Sequence, residues 1–182
     1  MNTEKRAYTL SIIVEDSPGV LSQVARLFSR KGYNIETICA ALSDRPGITR
    51  ISVVTVVDEK TVRQLAAQLA KLLPVISVEV LEDSIQRELT LVKVKAEGRD
   101  QRDEIIQIVN VFRASILDMG KEALTIAVVG TADKTRAILD LLEDFGILEI
   151  ARTGMIALQR GKGTIYDHTR TREEYHYGKT MG

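Results

Sequence analysis

Few residues in this 182-residue chain are placed to do chemistry. Its two histidines, His168 and His176, both lie near the C-terminus, away from the regularly patterned part of the chain. Cys39 is alone and sits in the apolar run Ile38-Cys39-Ala40-Ala41, which reads as a buried small hydrophobe. No GxSxG elbow, GxGxxG turn or Walker A sequence occurs, and Gly161-Lys162-Gly163 is too short to cradle a phosphate. A catalytic triad needs a histidine inside a folded scaffold, and neither histidine is placed for that. Carboxylates are abundant, but nothing singles out a pair. The expectation is no catalytic residue, no metal site and no cofactor bound by this chain.

One local feature could bind a ligand: the turn Asp16-Ser17-Pro18-Gly19 between a predicted strand and a predicted helix. Gly19 permits a strained turn or a close backbone approach. The first helical amides, around Val20 and Leu21, would be free to hold a carboxylate. Asp16 would offer an acceptor for an ammonium group. Together these are the minimum equipment for an α-amino acid, although a plain tight turn accounts for the same residues. Asn34, after Lys31-Gly32-Tyr33, would donate an amide into the same region or merely cap a turn.

The elements that must position these residues follow from periodicity. Tyr8–Val14 reads as a strand, and a helix follows over about 19–31, with Val20, Leu21, Val24, Leu27 and Phe28 forming one stripe. Arg30, Lys31 and Gly32 close that helix. Strands over 34–42 and 49–57 flank the turn Ser43–Gly47. Asp58 caps a helix over 59–72, Pro74 ends it, and 75–81 is a fourth strand. The order βαββαβ is the ferredoxin-like plan: a four-stranded antiparallel sheet with two helices on one face. The uncovered face is expected to carry apolar residues and to pair with another copy or another domain. The second half repeats the plan more loosely. Strands fall over 88–97, 115–119, 123–130 and 147–158, and helices over 100–112 (Ile105, Ile106, Val109, Phe112 inward) and 131–144. The fold class is therefore α+β, with two such modules over 7–83 and 86–159. A polar C-terminal tail, 160–182, is expected to be weakly ordered in isolation, with Tyr166, Tyr175 and Tyr177 available to anchor it on a partner.

Composition excludes several classes. Lys plus Arg and Asp plus Glu number 25 each, so no field steers the chain to nucleic acid. No apolar run is long enough to cross a membrane, and the N-terminus MNTEKRAYTL has no signal-like core. A cytoplasmic location is the expectation. Trp is absent, so the core must come from aliphatic residues.

At these residues the chain resembles the small, regulatory subunit of acetolactate synthase (acetohydroxyacid synthase). The resemblance rests on Glu15-Asp16-Ser17-Pro18-Gly19-Val20-Leu21, on Leu27 to Glu36 (LFSRKGYNIE) and on Thr49-Arg50-Ile51-Ser52-Val53-Val54. Arg87 to Val94, Phe112-Arg113-Ala114, Val129-Gly130-Thr131 and Ala151-Arg152-Thr153-Gly154 extend it across the second module. It implies that the first module is an ACT domain, a unit that commonly binds amino acids at dimer interfaces. It implies a non-catalytic homodimer that activates a large catalytic subunit using thiamine diphosphate, Mg²⁺ and usually FAD. It also implies feedback inhibition by a branched-chain amino acid, commonly valine, in valine, leucine and isoleucine synthesis. The effector site carried over is Asp16, Gly19 and Asn34, with main-chain groups near Val20 and Leu21. Many members have Asn where this chain has Asp16, which removes an amide donor and adds charge. The alternative is a stand-alone amino-acid-sensing ACT protein that regulates a different enzyme.

Overall fold

The computed structural model describes residues 4–167. The first module runs β1 (Arg6–Glu15), α1 (Val20–Lys31), β2 (Thr37–Leu42), β3 (Ile48–Val57), α2 (Glu59–Leu69) and β4 (Val75–Leu81). Its antiparallel sheet has the order β2-β3-β1-β4, which leaves β2 and β4 at the edges. Leu10, Ile12 and Val14 of β1 and Ile51 and Val53 of β3 meet Val24, Leu27 and Phe28 of α1 and Val62, Leu65 and Leu69 of α2. The alternation along β1 puts Leu10 and Ile12 under the helices and Thr9, Ser11 and Ile13 on the other face.

Local chemistry sets the helix limits. α1 ends where Gly32 turns left-handed at φ 71 and its N–H reaches back to Phe28 and Ser29 carbonyls. α2 stops at Leu69, three residues before the expected 72. Lys71 N–H to Gln68 C=O and Leu72 N–H to Leu69 C=O tighten the chain into turns, since the residue before Pro74 disfavours the helical region. β2 begins at Thr37 rather than 34, because Gly32 and the residues after it close the helix cap first. Cys39 is only half-buried, since β2 is an edge strand.

The second module runs β5 (Ser84–Lys95), α3 (Gly98–Val111), β6 (Ser115–Met119), β7 (Ala123–Gly130), α4 (Ala132–Glu143) and β8 (Ile147–Arg152). The expected βαββαβ order holds, with sheet order β6-β7-β5-β8. The single strand expected over 147–158 is divided by Gly154 at φ 81, and its second part, β9 (Ile156–Gln159), pairs with β5 as a fifth strand. β5 correspondingly starts earlier than 88. Val92, Val94, Leu124, Ile126 and Val128 pack beneath Ile105, Val109, Ile138 and Leu142. Ile108, not Ile106, joins this core from α3.

The described residues divide into two compact units, one of residues 4–84 together with 158–167, the other Ile85–Ala157. The start of the expected tail therefore belongs with the first unit. Ile165 is buried, its C=O accepts from Ser77 Oγ at 2.9 Å, and Arg160 pairs with Asp83 at 3.1 Å. Ser77 lies on the sheet face away from the helices, with Thr9, Ser11, Arg50, Ser52 and Glu79. Ile13, Val54, Val56 and Leu81 share that face, so the apolar residues expected there are present, interleaved with small and polar ones. Burial on it pushes the Arg50 guanidinium down from its ordinary pKa. The second unit also shows apolar residues on its outer face, where Leu89, Leu91 and Val129 are exposed. His168, Tyr175, His176 and Tyr177 lie outside the described residues. Among the described residues no helix is long and apolar enough to cross a membrane, and no cluster of His, Cys, Asp or Glu could hold a metal.

Two predictions follow the packing and the caps. Phe28, fully buried, should lose about 3–5 kcal/mol of stability on replacement by Ala, read from urea unfolding. Asp58 Oδ1 accepts Thr61 N–H at 2.9 Å, and these bonds hold its carboxyl below the usual carboxylate range. A depressed carboxylate stabilises above its unfolded pKa and loses that contribution as pH falls through the folded value. Asp58→Asn should therefore be less stable than wild type at neutral pH. The gap should close below about pH 4.

Candidate functional site

β1 ends at Glu15 and α1 begins at Val20, so Asp16-Ser17-Pro18-Gly19 is the whole connection. Its path is tied down by the main chain. Asp16 N–H donates to Gly47 C=O at 2.8 Å, and Glu15 N–H donates to Pro74 C=O at 2.9 Å. Gly19 takes φ 85 and ψ −4, in the left-handed region. A Cβ there would meet nothing within 4 Å, so the backbone angle, not space, selects glycine.

Because a glycine occupies the cap position, no side chain caps α1, and no acidic residue stands in its first turn. The first helical bond is Gln23 N–H to Gly19 C=O at 3.0 Å. The amides of Leu21 and Ser22 come before it and have no intrahelical acceptor. Val20 N–H reaches Ser17 C=O only at 3.4 Å. The positive end of the helix is left open to an anion.

This loop walls one side of a cavity of about 430 Å³, within the size range of small-molecule sites. Val14, Val20 and Ile51, all buried, form its floor. Ala40, Ala41 and Leu42 of β2 also line it. Asp16 stands at the polar rim, and its Oδ1 accepts from Thr49 Oγ1 at 3.0 Å. Leu21 and Leu42 also line the cavity while remaining 46% and 73% exposed, so its wall is unfinished in a single copy. The arrangement offers amides to a carboxylate, an acidic oxygen to an ammonium group and an apolar floor to a short side chain.

Asp16, Gly19, Val20 and Leu21 all line this cavity, and Asn34 of the same chain does not. Asn34 follows the far end of α1, and a helix of 12 residues is roughly 18 Å long. Its Nδ2 donates to Glu36 Oε1 at 2.8 Å, and its C=O accepts from Thr55 Oγ1 at 2.7 Å. Ala40, Ala41, Leu42, Thr49 and Ile51 were not singled out by the sequence. The adjacent alanines of β2 were the available signal.

A βαββαβ unit whose first loop is held this way has the architecture of an ACT domain. Residues 10–77 match the family model of the AHAS small subunit-like ACT domain, and residues 87–161 that of the small subunit of acetolactate synthase. A probable acetolactate synthase small subunit of Methanothermobacter thermautotrophicus is 44% identical over 164 residues, covering 89% of this chain and 98% of that one. The acetolactate synthase small subunit of Mycolicibacterium smegmatis is 42% identical over 163 residues, covering 88% and 95%. The crystal structure of the small subunit from Thermotoga maritima superposes with a TM-score of 0.80 at 34% identity, covering 87% of this chain and 99% of that one. The chain belongs to the acetolactate synthase small-subunit family, with a regulatory, ACT-domain role.

The left-handed angle at Gly19 gives a stability prediction. Gly19→Ala should destabilise by roughly 1 kcal/mol despite the open space, and Gly19→Asn by less, as measured by chemical denaturation.

Proposed function

We propose that this protein is a non-catalytic regulatory subunit that activates a large acetolactate synthase subunit and makes it sensitive to a branched-chain amino acid, valine first. The observation that carries the reading is the cavity at the start of α1. The uncapped amides of Leu21 and Ser22 hold the effector carboxylate, Asp16 takes the ammonium group, and Val14, Val20 and Ile51 take the side chain. Thiamine diphosphate, Mg²⁺ and usually FAD belong to the large subunit. The proposed site of action is the cytoplasm.

The exposed Leu21 and Leu42 call for a covering surface. A second copy provides it in a homodimer. Two-fold pairing of antiparallel elements brings the far end of one α1 toward the start of the other. In that arrangement Asn34 of the partner subunit completes the site, which reconciles its distance from Asp16 within one chain. Inhibition requires that effector bind the less active state of the assembly more tightly than the active one.

The test is acetolactate formation by the cognate large subunit, with and without this protein, across a valine titration. Activation plus inhibition by valine supports the reading. No effect in either mode, with the two proteins shown to associate, overturns it. Valine binding without any effect on acetolactate formation points to the stand-alone sensor. Gly19→Asp puts a carboxylate against the effector's own, and Asp tolerates positive φ better than most residues. That variant should fold, keep activation and lose inhibition at valine concentrations that inhibit the wild type.

A further inference from the structure

The segment that follows β9 returns to the first unit beside the turn that holds Asp16 in place. Tyr166 OH lies 3.0 Å from Ser43 Oγ and 3.5 Å from Asp44 Oδ1. The Arg45 guanidinium stacks on the Tyr166 ring at 3.6 Å. These three residues open the β2–β3 turn, which is closed by Ser43 N–H to Ile48 C=O at 2.8 Å and Ile48 N–H to Arg45 C=O at 3.2 Å. Arg45 N–H also donates to Ser43 Oγ at 3.2 Å, so the hydroxyl that Tyr166 meets is itself part of the turn.

The same turn supports the candidate site. Gly47 C=O takes the Asp16 N–H, Thr49 Oγ1 donates to Asp16 Oδ1, and Leu42 just before the turn lines the cavity. A ring from one end of the chain thus bears on a turn whose other side fixes an acidic group of the cavity rim. The segment has its own footing for this. Ile165 is buried against the sheet, with its carbonyl on Ser77, and Thr164 N–H donates to Asp167 Oδ2 at 2.7 Å in a local turn.

We infer that Tyr166 is a positioning residue for the amino-acid site, acting through the Ser43–Gly47 turn to hold Asp16 and the β1–α1 loop in the binding geometry. The segment Arg160–Asp167 is then a strap that sets effector affinity without touching the effector. The core between the sheet and the two helices of the first unit contains no residue of this strap. A contact outside that core, on a turn from which Gly47 and Thr49 bond Asp16, tunes the site rather than the fold. The inference rests on the amino-acid reading of the cavity for its ligand, but not for the mechanical link.

The experiment uses the full chain as wild type, Tyr166→Phe and Tyr166→Ala, with two readouts. Hydrogen exchange is followed at Ser43 and Ile48 of the turn, at Asp16 across from it, and at Leu10 and Ile51 in the core. Binding of valine, leucine and isoleucine is measured by calorimetry. Loss of the ring and its hydroxyl should speed exchange at Ser43, Ile48 and Asp16 by roughly three- to tenfold and weaken the amino acid that binds by a similar factor. Core amides should stay unchanged, and Phe, which keeps the ring under Arg45, should fall between Ala and wild type. Unchanged exchange at Asp16 overturns the link, as does an equal acceleration at Leu10 and Ile51, which would make Tyr166 merely structural. Unchanged affinity for that amino acid with faster Asp16 exchange overturns the role in binding. If the wild type binds none of valine, leucine and isoleucine, the amino-acid reading fails, and exchange at Asp16 still decides whether Tyr166 holds the loop.

Discussion

The left-handed turn at Gly19 is the constraint on which the first module's site depends. Without a Cβ the chain can leave β1 and enter α1 with no side chain folded back over the helix start. An Asn, Ser or Asp at that position would satisfy the first amides itself. Here those amides stay unsatisfied by the chain, and their orientation is fixed from below. Val20, Val24, Leu27 and Phe28 lock the axis of α1 onto Leu10, Ile12 and Val14. The core is therefore what aims the helix start, and packing errors far along α1 would be felt at the loop.

Much of this was legible in the residues. The three-and-four spacing of α1 gave its buried face, and Gly32 gave its end, because both signals are local. Asp58 and Thr131 marked two helix starts for the same reason, each accepting the N–H three residues on. The break at Gly154 was missed although Ala151-Arg152-Thr153-Gly154 interrupts the apolar pattern, because a glycine inside a strand pattern reads equally well as a bulge. Within one chain Asn34 lies past the far end of α1, a distance set by the length of the intervening helix and not by closeness in the sequence. The return of Ile165 and Tyr166 to the first unit depends on contacts with residues about 88 and 123 positions earlier, and no periodicity encodes those.

The two modules share one plan and spend their outer faces differently. In the first, Thr9, Ser11, Ser52 and Ser77 alternate with Ile13, Val54 and Leu81, and Ser77 ties the strap to that face. In the second, the corresponding side of β5 and β7 shows Leu89, Leu91 and Val129. Sequence pattern alone treats these halves as repeats. The side chains separate a module with a cavity and a tethered segment from one with an exposed apolar sheet.

One wall of the cavity, Ala40 to Leu42, is also the outermost strand of its sheet, with a row of main-chain groups that no further strand in the described chain engages. A surface of that kind belongs to two equilibria at once. Whatever pairs with β2 remodels the wall, and whatever fills the cavity alters what can pair with β2. Thermodynamic linkage makes these influences equal in size. Occupancy and association then become one mass-action system, in which dilution of the protein reads out as a change in apparent ligand affinity.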